Sequence, residues 1–183
     1  MLSTVPGTIV HAGAGGDLRP WNGGNLPSFI LQSSSGAHIA LEDVRGRAVL
    51  VHFFATWCEP CKEELPALDR LAKRASGTAA VIAISVAEVD MRVRRLLETM
   101  PLAFPVLLDR DRAVAKTWGV SVLPTTFVLD ATLHPRAVVE FDFPWDAVDI
   151  KELTGMPTAG PSNPPQLKMR PMLPIQEDDH APR

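Results

Sequence analysis

Residues 48–76 read AVLVHFFATWCEPCKEELPALDRLAKRAS, and the change of pattern inside this stretch decides the architecture. Ala48–Ala55 is a continuous apolar run, as expected of a strand buried on both faces of a sheet. From Glu59 to Ser76 the spacing switches to the helical period, with Cys61, Leu65, Leu68 and Ala72 on one side and charges on the other. The chain's 2 cysteines, Cys58 and Cys61, stand at the junction. Unsatisfied backbone N–H groups and the positive end of the helix dipole at such a first turn favour a thiolate at Cys58. Pro60 fits there because its missing N–H would have no partner. Two intervening residues allow a tight disulfide across the turn. Cys58 is the expected nucleophile, and Cys61, one turn deeper, would resolve the mixed disulfide.

Outward from this junction, strand and helix signals alternate. Ser28–Gln32 and His38–Leu41 flank a Ser-Ser-Ser-Gly turn and predict a short hairpin. Ala79–Val86 is a second buried strand and Asp90–Thr99 an amphipathic helix. Val106–Leu108, a helical Asp111–Trp118, a strand pair at Thr126–Asp130 and Arg136–Phe141, and a last short helix at Trp145–Leu153 follow. A βαβ order closed by a β-hairpin predicts an α/β protein with a central mixed sheet and helices on both faces. Residues 26–154 are thus expected to form one domain. Residues 1–25 hold six of the 12 glycines and read as a flexible leader. Residues 155–183 carry seven prolines and the acidic Glu177-Asp178-Asp179 cluster, and read as a disordered tail.

Composition narrows the function classes. The 183 residues are 46% hydrophobic and 21% charged, a soluble globular balance. A formal net charge of −3 offers no basic footprint for nucleic acid. A pair of cysteines excludes the disulfide-dense secreted class and a four-cysteine zinc site within one chain. No stretch reaches the 18 or so apolar residues of a membrane span, and the first residues lack the pattern of a signal peptide. The expectation is a cytoplasmic protein or a chain that begins after a removed targeting segment.

VLVHFFATWCEPCKEELPALDRLA (49–72), followed by VLPTTFVLD (122–130), resembles the thioredoxin superfamily, and more narrowly its TlpA/ResA/CcmG-like thiol-disulfide oxidoreductases. Leu26-Pro27-x-Phe29 and the short hairpin match the segment this branch carries before its core. The resemblance implies a thioredoxin-like fold with an N-terminal β-hairpin extension. It also implies an enzyme that reduces or exchanges protein disulfides, several members serving cytochrome c maturation from a periplasmic or cell-envelope location. Neither metal nor organic cofactor is expected. The partners implied are protein disulfides and an upstream thiol reductant, with the chain a monomer.

Carried onto this sequence, the attacking and resolving cysteines are Cys58 and Cys61, and Pro124 matches a cis-proline facing them. A cis bond there would expose the backbone of Leu123 to an extended substrate strand. Glu64 matches the active-site glutamate of ResA-like members. Half-buried, it would have a raised pKa and exchange protons with Cys61; exposed, it would pair with Lys62, Arg70 or Arg74. Glu59 should oppose thiolate formation and push the couple toward reduction. His52 departs from the pattern, since thioredoxins hold Asp and the TlpA-like branch commonly Asn at that strand position; it is a proton relay or a hydrogen-bonded core histidine. Trp57 is read as shielding the site, and Trp145-Asp146 as structural. A copper carrier using the cysteines and a histidine is the binding-module alternative. A thiol peroxidase is the enzyme alternative, though Ala55 and Val51 stand where peroxiredoxins place Thr or Ser and Pro.

Overall fold

Ala48–Phe54 forms a strand in which all 7 side chains are buried, and the rest of the sheet is laid out from it. The computed structural model describes residues 16–150 and Leu153. In chain order the strands are β1 (Leu18–Pro20), β2 (Ile30–Gln32), β3 (His38–Ala40), β4 (Ala48–Phe54), β5 (Ala79–Val86), β6 (Val106–Asp109), β7 (Thr125–Leu129) and β8 (Pro135–Glu140). The helices are α1 (Glu59–Arg74), α2 (Asp90–Thr99) and α3 (Ala113–Thr117), with 3-10 turns at Leu41–Val44 and Trp145–Ala147. The main sheet has the order β1-β8-β7-β4-β5-β6. β4, β5 and β6 run parallel, joined through α1 and α2, whereas β7, β8 and β1 pair antiparallel. The sheet is therefore mixed, as the order of signals predicts. β2 and β3 form the separate hairpin, tied to β6 by the Ser34 N–H donating to the Val106 carbonyl at 2.8 Å.

Alternation along β4 sends its side chains into two cores. Leu50 and Phe54 pack with Leu65, Leu68 and Leu71 of α1 and Val93 of α2. Val49, Val51 and Phe53 face Val114 and Ala115 of α3, together with Phe29, Leu41 and Val44 from the hairpin side. Trp118 and Phe127 meet edge to face in that second core, with ring centroids 5.2 Å apart, and the Trp118 indole N–H donates to the Pro27 carbonyl at 2.9 Å. That bond fixes the segment leading into the hairpin.

Three expectations change. Leu18–Pro20 fall inside the stretch read as a flexible leader, yet they pair with Ala137–Val139 of β8, and Trp21 packs against Phe127 with centroids 5.4 Å apart. The sheet edge left by β8 supplies the backbone partners that a three-residue pattern cannot advertise. Residues 1–15 and 155–183 lie outside the described residues. The helix expected over Asp111–Trp118 is confined to Ala113–Thr117, because Arg112 takes a left-handed φ of 63° and cannot begin it. Instead of one helix over Trp145–Leu153 there is a 3-10 turn at Trp145–Ala147, with Ile150 and Leu153 helical beyond it and buried in the α1-side core.

α3 is anchored by Asp109 at the end of β6. Its fully buried carboxylate accepts the backbone N–H groups of Val114 at 3.2 Å and Ala115 at 2.8 Å. Asp109→Ala leaves those donors unsatisfied in a buried position, so a loss of about 2–3 kcal/mol in urea unfolding is expected. A loss below about 0.5 kcal/mol, within the range of an ordinary surface substitution, would show that α3 is held by packing alone.

Candidate active site

β4 ends beneath the cysteines. Beyond Phe54 the chain turns through Ala55, Thr56 and Trp57 and enters α1 at Glu59, so that Cys58 is the N-cap with an extended backbone, φ −85° and ψ 108°. Its sulfur accepts the backbone N–H of Cys61 at 3.3 Å, one of the orphan donors that a first helical turn leaves open. The two sulfurs are joined in a disulfide with the Cα atoms 5.3 Å apart. Cys58 retains 6% of its surface and Cys61 none, which orders them as outer and inner sulfur. Pro60 sits in the first turn, and α1 continues through Pro66. Glu59 is exposed and pairs with Lys62 at 2.6 Å, while Trp57 is 66% exposed, leaning out from the site rather than covering it from within.

The turn before Cys58 is held from below by a residue that the sequence reading passed over. Glu88 is buried and accepts the Thr56 backbone N–H at 2.8 Å, the Thr56 hydroxyl, and the Ser85 hydroxyl at 2.8 Å. Ala87 adopts φ 57° to bring it there. A carboxylate two residues past a buried strand carries no helical or strand pattern of its own, so the signal was faint.

Glu64 and His52 are the polar groups beneath the disulfide-bearing turn. Glu64 lies one helical turn beyond Cys61 and is buried. Lys62, Arg70 and Arg74 do not pair with it: Lys62 binds Glu59, and both arginines face Asp146. Its Oε1 instead accepts the Trp145 indole N–H, and its Oε2 has no hydrogen-bond partner. Trp145 thus supports the site from the C-terminal turn. Burial pushes the Glu64 pKa up to about 8; the bond from Trp145 pulls the other way, and the charge of Asp142 adds to the rise. His52, fully buried on β4, shares a 2.9 Å hydrogen bond between Nδ1 and the Thr126 hydroxyl, and its Nε2 is unpartnered. Burial lowers its pKa to about 3, so the imidazole is neutral. Among the described residues no three His, Cys, Asp or Glu side chains are grouped to hold a metal ion.

The Leu123–Pro124 peptide bond is cis. The Pro124 carbonyl accepts the Phe141 N–H at 2.9 Å, and the Thr125 hydroxyl donates to the Val122 carbonyl at 2.8 Å. Among the described residues the Leu123 N–H and carbonyl have no backbone partner. The Leu123 side chain packs against the core cluster that contains both cysteines. Trp57 and Leu123 line a cleft of about 590 Å³, together with Val120, Phe141 and Arg112.

Comparison with known proteins agrees with this geometry. The AhpC/TSA family model matches residues 23–134, and the chain belongs to that family. It is 36% identical over 124 residues to the thiol-disulfide oxidoreductase ResA of Bacillus subtilis (strain 168), covering 67% of this chain and 69% of ResA. The thioredoxin-like protein YneN of the same organism is 37% identical over 111 residues, 59% of this chain and 65% of YneN. Among solved structures, StoA from Bacillus subtilis superposes with a TM-score of 0.60 at 22% identity, over 70% of this chain and 96% of StoA. A thioredoxin-family thiol:disulfide interchange protein from Chlorobium tepidum TLS gives 0.63 at 26% identity, over 71% and 92%. The fold is thioredoxin-like. No helix among the described residues is long and apolar enough to cross a membrane.

The two buried groups make a prediction for stability. The folded pKa of Glu64, about 8, lies above its ordinary 4.5, so the folded state holds the proton more tightly and stability falls as pH rises through that interval. His52, lowered from 6.5 to about 3, has the opposite sign, and its contribution is lost as pH falls below 6.5. Of these two groups, Glu64 is the one that acts between pH 6.5 and about 8. In the oxidised protein, where the cysteines do not titrate, the unfolding free energy is expected to fall over that window. Glu64→Gln should flatten the fall. An identical slope in the variant would place the Glu64 proton elsewhere.

Proposed function

We propose that this member of the AhpC/TSA family reduces or exchanges protein disulfides through the Cys58–Cys61 couple, with Cys58 as nucleophile. The observation that carries the reading is the closed C-x-x-C disulfide at the N-terminus of α1, with Cys58 as the outer sulfur and N-cap. In the reduced protein the Cys58 thiolate attacks one sulfur of a substrate disulfide, forming a mixed disulfide and releasing the other substrate sulfur as a thiolate. Cys61 then loses its proton and attacks Sγ of Cys58; the internal disulfide closes and the second substrate thiolate leaves. Two electrons pass from the dithiol to the substrate, and an upstream thiol reductant returns them.

Glu64 is the proton partner for the second step. It shares a helix face with Cys61, its Oε2 is open, and a carboxyl titrating near 8 can give or take a proton at neutral pH. His52, with a pKa near 3, is too weak a base for that task, and it serves as a neutral polar support on β4. The unpaired backbone of Leu123 beside cis-Pro124 supports the docking of an extended substrate segment. No Lys, Arg or His adjoins Cys58 in sequence, and Glu59 does, which supports a reducing couple. A thiol peroxidase is not favoured, because Ala55 stands where peroxiredoxins place the hydroxyl of Thr or Ser and cannot donate a hydrogen bond to a peroxide, and Val51 stands where they place Pro.

Two measurements check the reading. Cys61→Ser should accumulate mixed disulfides with protein substrates through Cys58, and Cys58→Ser should accumulate none; equal trapping by both would reverse the assignment. Equilibration with glutathione should give a potential nearer about −270 mV than about −120 mV, and a value more oxidising than about −180 mV, that of protein disulfide isomerase, would contradict a reducing role.

A further inference from the structure

We propose that the cleft between Trp57 and Phe141 selects the substrate segment, favouring one that carries a large apolar side chain and a carboxylate close to the attacked cysteine. This rests on the disulfide-exchange reading above and adds a substrate class to it.

Three observations converge on the cleft. Its walls include two of the large hydrophobic side chains exposed among the described residues, Trp57 at 66% and Phe141 at 56%. They come from different elements: Trp57 immediately precedes Cys58, and Phe141 follows β8. Large apolar groups held apart and facing solvent offer more to a ligand than to the fold.

Phe141 also holds a left-handed backbone, φ 71°. A bulky side chain takes that conformation at a cost in free energy. The strain places the Phe141 N–H on the Pro124 carbonyl, which a glycine would do without strain. The phenyl ring itself gives little to the core, so its contribution lies in the cleft.

Among the described residues Arg112 is the sole charged one lining the cleft. Among the described residues Arg19, Arg70, Arg74, Arg110 and Arg136 each pair with a carboxylate; Arg45, Arg47, Arg92, Arg94 and Arg95, like Arg112, form no ion pair, but they do not line the cleft. Among the described residues the Arg112 guanidinium has neither an ion-pair nor a hydrogen-bond partner. Its backbone is left-handed as well, φ 63° at the start of α3. An unpaired guanidinium beside apolar walls is complementary to an acidic ligand with an apolar neighbour. A substrate strand docked on the free Leu123 backbone, with its cysteine at Cys58, directs alternate side chains to one face. From there they enter the cleft that Leu123 and Trp57 share.

The test uses synthetic cysteine peptides with Phe two residues from Cys, bearing either Asp or Lys nearby, each presented as its mixed disulfide with 5-thio-2-nitrobenzoate. Single-turnover release of the coloured thiolate from the reduced, full-length protein gives an Asp-to-Lys rate ratio. The ratio is expected at about fivefold in low salt and to shrink as salt rises. In Arg112→Glu it should invert. In Phe141→Gly the preference for Phe over Ser in the peptide should disappear while the melting temperature does not fall. A ratio of one in the wild type, or one unmoved by Arg112→Glu, overturns the cleft assignment alone. The underlying chemistry is read separately with the free disulfide 5,5′-dithiobis(2-nitrobenzoate). If the reduced wild type fails to consume it, the redox reading falls, and the cleft assignment with it.

Discussion

The backbone N–H of Cys61 pointing at the sulfur of Cys58 is the contact on which the site depends. It exists only because α1 begins at Glu59 and leaves Cys58 outside as the cap. The helix begins there because β4 must end there: its apolar run is spent, and Leu65, Leu68 and Leu71 bury against the face carrying Leu50 and Phe54. Burial of this size, roughly 1.5–3 kcal/mol for each large apolar side chain, fixes the rotation and depth of α1. With α1 fixed, one sulfur stays at the surface and the other is enclosed, and the carboxyl of Glu64 is carried beneath them. The chemistry inherits its geometry from the packing of one helix on one strand.

The same burial sets the charge state beneath the turn. Desolvation raises Glu64 and lowers His52, so near neutral pH the layer between the sheet and α1 holds two largely uncharged polar groups. Each keeps one satisfied atom and one open atom: Oε1 on Trp145 and Oε2 free, Nδ1 on Thr126 and Nε2 free. Oε2 is the open position on the face of α1 that also carries Cys61. The surrounding turn is stiffened by Glu88, whose carboxylate gathers Thr56 and Ser85.

Legibility in the sequence followed pattern length. β4 and α1 were readable because seven and sixteen residues are long enough for a period to declare itself, and the cysteines mark their junction. β1 was not, because three residues have no period and its partner β8 lies more than a hundred residues away. Glu64 was found through the resemblance to ResA-like members, but its partner was not: nothing local in Trp145 shows that its indole reaches α1. Glu88, Arg112 and Phe141 were missed for a shared reason. Their placement depends on left-handed backbone at Ala87, Arg112 and Phe141, and glycine, the usual sign of that conformation, is absent from all three positions.

Whether the first turn of α1 stabilises a thiolate is read from the acidity of Cys58. Thiolate absorbance near 240 nm, followed against pH in Cys61→Ser so that one sulfur reports alone, gives that value. A pKa below about 8.5, the value of an unperturbed thiol, is expected, since the helix terminus favours the charged form. A pKa at or above about 8.5 would show that the helix does not activate Cys58, and the link from the packing of α1 to its chemistry would be broken.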